Sequence, residues 1–119
     1  MKNHNLLSSF QSAFRGLKEV LIKESGFKYI FIIAVLVVIL AFLLSFSNTE
    51  KLILIATCFT VLLLDLINSA IERFLDYLQP KYNTKIKEIK DILSTIVLIG
   101  CIFAVIIGIV ILGPYITKL

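Results

Sequence analysis

The sequence predicts an all-α membrane protein: an amphipathic surface helix over about residues 5–24, then three transmembrane helices, in a single domain of 119 residues. Apolar residues make up 59% of the chain, above the roughly 45–50% of ordinary soluble domains, and the mean hydropathy is +0.99. They concentrate at about residues 29–46, 52–71 and 92–116. Each segment is close to the roughly 20 residues that a helix needs to cross a bilayer. This composition excludes a disordered chain, a coiled coil and most water-soluble enzymes.

The N-terminal segment, about residues 5–24, is amphipathic and too polar to span a membrane. Large apolar residues recur in it at helical spacing: Leu6, Leu7, Phe10, Phe14, Leu17 and Leu21. Polar residues such as Arg15 and Lys18 occupy the other faces. This pattern predicts a helix lying on the cytoplasmic membrane surface. Periodicity alone also allows a plain membrane anchor.

Short polar segments connect the apolar ones. Residues 47–51 are predicted to form a tight turn, and residues 77–83, with Pro80 as a helix breaker, a second connection. Asn83 or Thr84 is suited to cap a helix that continues into the third span. Gly113-Pro114 is predicted to end that span.

The basic residues predict the orientation. Of the 12 Lys and Arg residues, only Lys51 and Lys118 lie outside the segment before the first span and the region between the second and third. The positive-inside rule then places the N-terminus and the second connection in the cytoplasm and the C-terminus outside. These charges therefore predict a multi-pass membrane protein with a cytoplasmic N-terminus.

Acidic and amide side chains follow one face of the second span. Asp65, Asn68, Glu72 and Asp76 are spaced by three or four residues, which places them on one side of a helix. An Asp at the centre of a spanning helix costs roughly 2.5–3.5 kcal/mol on insertion scales. These groups must therefore face protein, water, a cation or a partner. The simplest alternative is a polar contact between helices, with Asp65 or Glu72 paired to a Lys or Arg.

Glu24 ends the surface helix at the same predicted membrane level as Glu72. Together the two carboxylates would form a hard-oxygen site suited to Mg²⁺. Lys90-Asp91 opens the third span at that level, where a Lys can neutralise phosphate. Its default role is to anchor the chain at the cytoplasmic interface.

Other motifs are absent from the sequence. No Walker loop, Rossmann fingerprint, kinase glycine-rich loop or His/Cys zinc pattern is present, and nucleic-acid binding is not expected. Cys58 and Cys101 lie in apolar runs and are predicted to be free thiols. Gly100, Ala104 and Gly108 form a stripe of small residues that favours close helix packing, either within one chain or in an oligomer.

The run Leu66–Glu72, followed by Asp76, Lys90-Asp91 and Ser94, resembles the signature of the bacterial diacylglycerol kinase and undecaprenol kinase family. The segment from Phe10 to Glu24 is similar to that family's N-terminal helix, and residues 102–108 are similar to the undecaprenol kinase branch. The resemblance implies a small homotrimeric membrane kinase that transfers the γ-phosphate of MgATP to a lipid hydroxyl. It would be located in the bacterial plasma membrane, with its sites between subunits at the cytoplasmic interface.

The resemblance also implies roles for individual residues. Glu24 and Glu72 would hold Mg²⁺, and Asp65 would be the general base. Asn68 and Ser94, with Asp65, would contact the lipid acceptor. The implied nucleotide contacts are Ser12, Glu24, Glu72, Lys81, Tyr82, Asn83, Lys90 and Asp91.

Three positions depart from the family pattern. Asp65 stands where Glu is usual, Ser12 where an aromatic residue is common, and Asn83 where His is frequent. The shorter Asp65 puts rate or acceptor geometry in question, and leaves the class of chemistry unchanged. Diacylglycerol and undecaprenol both remain as acceptors. The alternative function is a non-catalytic membrane subunit or small transporter with the same helical scaffold.

Overall fold

The computed structural model describes residues 5–78 and 83–117, and the elements in these two ranges are helices. They are α1 (Leu6–Lys23), α2 (Ser25–Leu43), α3 (Asn48–Leu78) and α4 (Thr84–Thr117). Neighbouring helices in the sequence pack against each other, with α3 between α2 and α4. Helices α2, α3 and α4 are long and apolar enough to cross a membrane, which confirms the predicted all-α class.

Helix α1 has the amphipathic character that the sequence predicts. Asn5 caps it, because its Oδ1 accepts a hydrogen bond of 2.7 Å from the Ser8 amide. Its apolar side chains remain exposed, among them Leu6, Phe10 and Phe14. An exposed apolar face on a helix of this length is typical of a segment that lies in a membrane interface.

Helix α3 begins at Asn48, so the predicted turn over residues 47–51 is wrong. The Ser47 hydroxyl accepts from the Glu50 amide at 3.1 Å, and the Glu50 carboxylate accepts from the Ser47 amide at 3.0 Å. This reciprocal pair is a capping box, which satisfies two amides at the helix start. The connection between α2 and α3 is therefore shorter, covering residues 44–47.

Tyr115 closes the end of the bundle opposite α1. Its hydroxyl lies 3.0 Å from the Ser45 carbonyl and 3.1 Å from Glu50 Oε1, and its ring packs on Phe46 at a centroid distance of 4.1 Å. These contacts hold the last turn of α4, which continues through Pro114 to Thr117. The expectation that Gly113-Pro114 ends the helix is therefore wrong.

Gly100 marks the close approach of α3 and α4. A Cβ placed there would lie 2.6 Å from Leu64 Cδ1, whereas a Cβ at Gly108 would meet no atom within 4 Å. Gly100 therefore serves packing within the chain, which is one of the two roles that the stripe of small residues allowed.

This difference predicts that Gly100→Ile destabilises the protein by roughly 1–3 kcal/mol, because the Leu64 side chain must shift and the larger residue overpacks the contact between α3 and α4. Gly108→Ile is the matched control and should change stability much less. Thermal unfolding of both purified variants in one detergent measures the effect. Equal melting temperatures for the two variants would contradict the packing described for Gly100.

An apolar cleft of 320 Å³ lies between α2, α3 and α4. Its lining includes Ala34, Val61, Ala104 and both cysteines, Cys58 and Cys101. The two cysteines are free thiols, as predicted. The cleft begins at Val61, one helical turn from Asp65.

Candidate functional site

Glu24 sits at the break between α1 and α2. Its backbone is extended, with φ −120° and ψ 106°, and it ends one helix and precedes the next. Its side chain makes no capping bond to α2. The carboxylate is directed to α3 instead, so the break brings an acid from the surface helix to the polar face of the second span.

Two residues of α3 hold this carboxylate. The Ser69 hydroxyl donates to Glu24 Oε1 at 2.6 Å, and the Arg73 guanidinium donates to Glu24 Oε2 at 2.9 Å. Ser69 is 3% exposed, so its bond is shielded from water. Arg73 also lies 3.8 Å from Glu19, which is paired with Lys23. The hydrogen bond from Lys23 lowers the pKa of Glu19.

Asn68 and Glu72 form the next contact on the same helix. The Asn68 amide nitrogen donates to Glu72 Oε1 at 3.3 Å. Asn68 Oδ1 is buried and has no hydrogen-bond partner within the described ranges. A buried acceptor without a partner costs free energy, so this oxygen is suited to receive a ligand.

Asp65 is the deepest acid of this face. Glu24 and Glu72 lie close enough to act on it electrostatically. Across residues 5–78 and 83–117, Asp65 has no hydrogen-bond or ion-pair partner, and Glu72 has no cation partner. The ion pairing that the sequence allowed for Asp65 or Glu72 therefore does not occur in this part of the chain.

The start of α4 adds basic and amide groups. Asn83 caps the helix, as predicted, with its Oδ1 accepting from the amides of Lys85 at 2.8 Å and Ile86 at 3.3 Å. The Lys90 ammonium contacts Asp76 of α3, and Asp91 pairs with Lys87 at 2.9 Å. Ion pairs at this exposure are worth only about 0–1 kcal/mol, so a phosphate ligand can replace them at little cost.

The structure brings together only part of the predicted set. Glu24, Asp65, Asn68 and Glu72 form one cluster, which we call the carboxylate cluster, and Lys90 is joined to the same helix through Asp76. Ser94 is exposed on α4. Ser12 is exposed and accepts from Arg15 at 3.2 Å, about 18 Å along α1 from Glu24 at 1.5 Å per residue. Lys81 and Tyr82 lie outside the described residues.

The carboxylate cluster fits a nucleotide-bound Mg²⁺ better than a free-standing metal site. Within the described residues, no group of three or more His, Cys, Asp or Glu side chains is arranged to hold a metal ion. Mg²⁺ is commonly held by only one or two carboxylates, with substrate phosphates completing its ligands. Glu72 accepts from Asn68, whose Oδ1 has no partner among the described residues, and Glu24 accepts from the next residue, Ser69. Two carboxylates and an amide oxygen match that donor chemistry.

Sequence reasoning missed the contacts that Ser69 and Arg73 make with Glu24. In the sequence, Arg73 is one of the basic residues between the second and third spans, and Ser69 is one residue of the run Leu66–Glu72. The available signal was their spacing of four residues, which puts both beside Asn68 and Glu72. Their partner could not be read from spacing, because Glu24 lies on another helix.

Comparison with known proteins finds diacylglycerol kinases. The family described as prokaryotic diacylglycerol kinase matches residues 11–112. A diacylglycerol kinase of Helicobacter pylori is 39% identical over 88 residues, covering 74% of this chain and 69% of the relative. A diacylglycerol kinase of Escherichia coli K12 is 31% identical over 94 residues, covering 79% and 77%.

The family match includes both halves of the site, the carboxylate cluster and the start of α4. The relatives match most of the chain at more than 30% identity. The resemblance stated from the sequence motif is thereby confirmed. The chain belongs to the prokaryotic diacylglycerol kinase family, a family of membrane lipid kinases.

Proposed function

We propose that this protein transfers the γ-phosphate of MgATP to the hydroxyl of a membrane lipid alcohol, either undecaprenol or diacylglycerol. The observation that carries the proposal is the carboxylate cluster. Glu24 and Glu72 act electrostatically on Asp65, and Asn68 beside Glu72 has an amide oxygen without a partner in the described ranges. Named diacylglycerol kinases among the relatives support the reaction class.

Asp65 is the proposed general base. It has no partner within the described ranges, so its carboxylate is available to accept the proton of the lipid hydroxyl. Such assistance contributes roughly 10²–10⁴ in rate. Asn68 and Ser94 would orient the acceptor beside it. Because phosphoryl transfer has a loose transition state, positioning and charge neutralisation supply most of the catalysis.

The nucleotide would bind where α4 begins. Glu24 and Glu72 are the proposed ligands of Mg²⁺, which would neutralise the charge of the phosphates. Lys90 would add positive charge once released from Asp76. The remaining proposed nucleotide contacts are Ser12, Lys81, Tyr82, Asn83 and Asp91.

The apolar cleft supports a lipid acceptor. It starts one helical turn beyond Asp65 and is lined by apolar side chains, Thr57 and both free cysteines. A hydroxyl placed at Asp65 could therefore extend its hydrocarbon chain between α2, α3 and α4. Both undecaprenol and diacylglycerol meet this requirement.

The proposal is tested by offering both acceptors side by side to the purified protein in mixed detergent micelles with labelled ATP and Mg²⁺. Phosphorylation of either lipid supports it, and the ratio of products identifies the acceptor. Failure to phosphorylate any lipid alcohol would favour the alternative, a non-catalytic membrane subunit or small transporter.

Membrane topology gives a separate prediction. The N-terminus and the start of α4 should face the cytoplasm, because the basic residues concentrate there. In intact cells, an impermeant thiol reagent should label Asn48→Cys and should reach Lys85→Cys only after lysis. The reverse labelling pattern would place the carboxylate cluster on the side without ATP and contradict the mechanism.

The proposed assembly is a homotrimer. Large apolar side chains of all three long helices are exposed in a single chain, including Leu36, Phe59 and Phe103, and Asp65 and Glu72 are only half-buried. Partner helices would shield these acids from lipid. Native mass measurement in mild detergent should give three copies. A monomer with full activity would contradict a site shared between subunits.

A further inference from the structure

Arg73 contacts the carboxylate cluster, yet the proposed reaction gives it no role. Its guanidinium lies 2.9 Å from Glu24 Oε2, and the two side chains are 44% and 33% exposed. The pair is therefore open to water and to solutes. In the described part of the chain, Asp65 and Glu72 have no cation partner of their own, and Arg73 contacts this cluster through Glu24.

Both oxygens of Glu24 are already engaged. Ser69 donates to Oε1 at 2.6 Å, while Arg73 donates to Oε2. A divalent cation that approaches Glu24 meets a positive guanidinium on the same carboxylate. Because like charges repel, Arg73 opposes the binding of a free divalent cation.

When the cation arrives with a nucleotide, the triphosphate offers Arg73 another anionic partner. Its oxygens match the planar fork of an arginine in bidentate geometry. The guanidinium can then exchange a carboxylate for a phosphate and keep a charged partner. Glu24 becomes free to face the metal, with Ser69 still holding one of its oxygens.

We propose that Arg73, by binding the phosphate of the nucleotide, makes the carboxylate cluster take its divalent cation together with the nucleotide and disfavours the cation alone. This inference rests on the proposed function, since it takes Glu24 and Glu72 as the metal ligands. The competing role for Arg73 is purely structural, a clamp between α3 and the break that separates α1 from α2.

The two roles predict different changes in Mn²⁺ affinity when the charge of Arg73 is removed. Arg73→Gln removes the charge and keeps a polar side chain. If Arg73 opposes the free cation, this variant binds Mn²⁺ alone about fivefold to tenfold more tightly and binds Mn²⁺ with a non-hydrolysable ATP analogue more weakly. A lost clamp would weaken both, because the ligands themselves would be misplaced.

The test measures Mn²⁺ binding to the full-length protein in detergent by electron paramagnetic resonance, with and without the ATP analogue. Arg73→Lys keeps the charge and should bind free Mn²⁺ like the wild type. Lys23→Gln is the matched control, since it removes a charge paired with Glu19 at 2.6 Å and should change neither affinity.

Opposite shifts in Arg73→Gln support the inference. Parallel losses, or an unchanged affinity for free Mn²⁺, overturn it while leaving the proposed metal ligands in place. Binding that persists in a Glu24→Gln, Glu72→Gln double variant overturns those ligands, and the inference with them.

Discussion

Asp65→Asn is expected to reduce lipid phosphorylation by roughly 10²-fold or more while nucleotide binding is largely retained. The amide keeps the shape of the side chain and cannot accept a proton as a base. Asp65 is half-buried and has no partner within residues 5–78 and 83–117, so the substitution breaks no ion pair in these ranges. Turnover and nucleotide affinity measured on the same purified variant separate the two effects.

Two further variants sharpen this prediction. Asp65→Glu restores the residue usual in the family and should be tolerated, with a change in acceptor preference as the expected secondary effect. Glu88→Gln makes the same kind of change at an exposed acid of α4 and should be neutral. If Asp65→Asn turned over at a near-normal rate, Asp65 would lose its place as the base and its role would be structural.

Glu24→Gln and Glu72→Gln should each raise the Mg²⁺ concentration needed for half-maximal activity by about tenfold or more. Changes in the outer ligand shell alone cost roughly 10–100-fold in metal affinity or activity, and a direct ligand should cost at least as much. The apparent affinity for ATP should weaken in parallel, because the cation would bind together with the phosphates. Initial rates measured across a Mg²⁺ titration give both quantities.

The two glutamate variants should also differ in thermal stability. Glu24 is held by Ser69 and Arg73, so Glu24→Gln leaves an arginine without its closest carboxylate and should also lower thermal stability. Glu72 accepts one hydrogen bond, from Asn68, so its replacement should affect activity more than stability. Wild-type activity of Glu24→Gln at limiting Mg²⁺ would contradict Glu24 as a metal ligand and leave it as a surface charge.

The sequence predicted the helices well and their ends less well. Apolar segments long enough to cross a bilayer correspond to α2, α3 and α4. Hydropathy marks the part of a helix that suits lipid, whereas α3 ends and α4 begins in polar residues beyond the apolar segments. The start of α3 depended on the Ser47–Glu50 capping box, a local pattern that hydropathy does not register.

The polar face of α3 was predictable because the spacing of Asp65, Asn68 and Glu72 matches the helical repeat. The capping role of Asn83 was likewise local and was confirmed. The partner of Glu24 was not predictable, since it depends on where the chain breaks between α1 and α2. Arg73 therefore looked like any basic residue near the end of a spanning helix, until the fold placed it against Glu24.

The most direct test of the central claim follows the phosphate itself. The purified protein is reconstituted in vesicles that contain both lipid alcohols and is supplied with ATP labelled at either the γ- or the α-phosphate. The account predicts that label enters the lipid fraction from the γ-position only, that transfer requires Mg²⁺, and that Asp65→Asn largely abolishes it. Label absent from the lipid fraction, in a preparation that binds ATP, would contradict the assignment of this site to lipid phosphorylation.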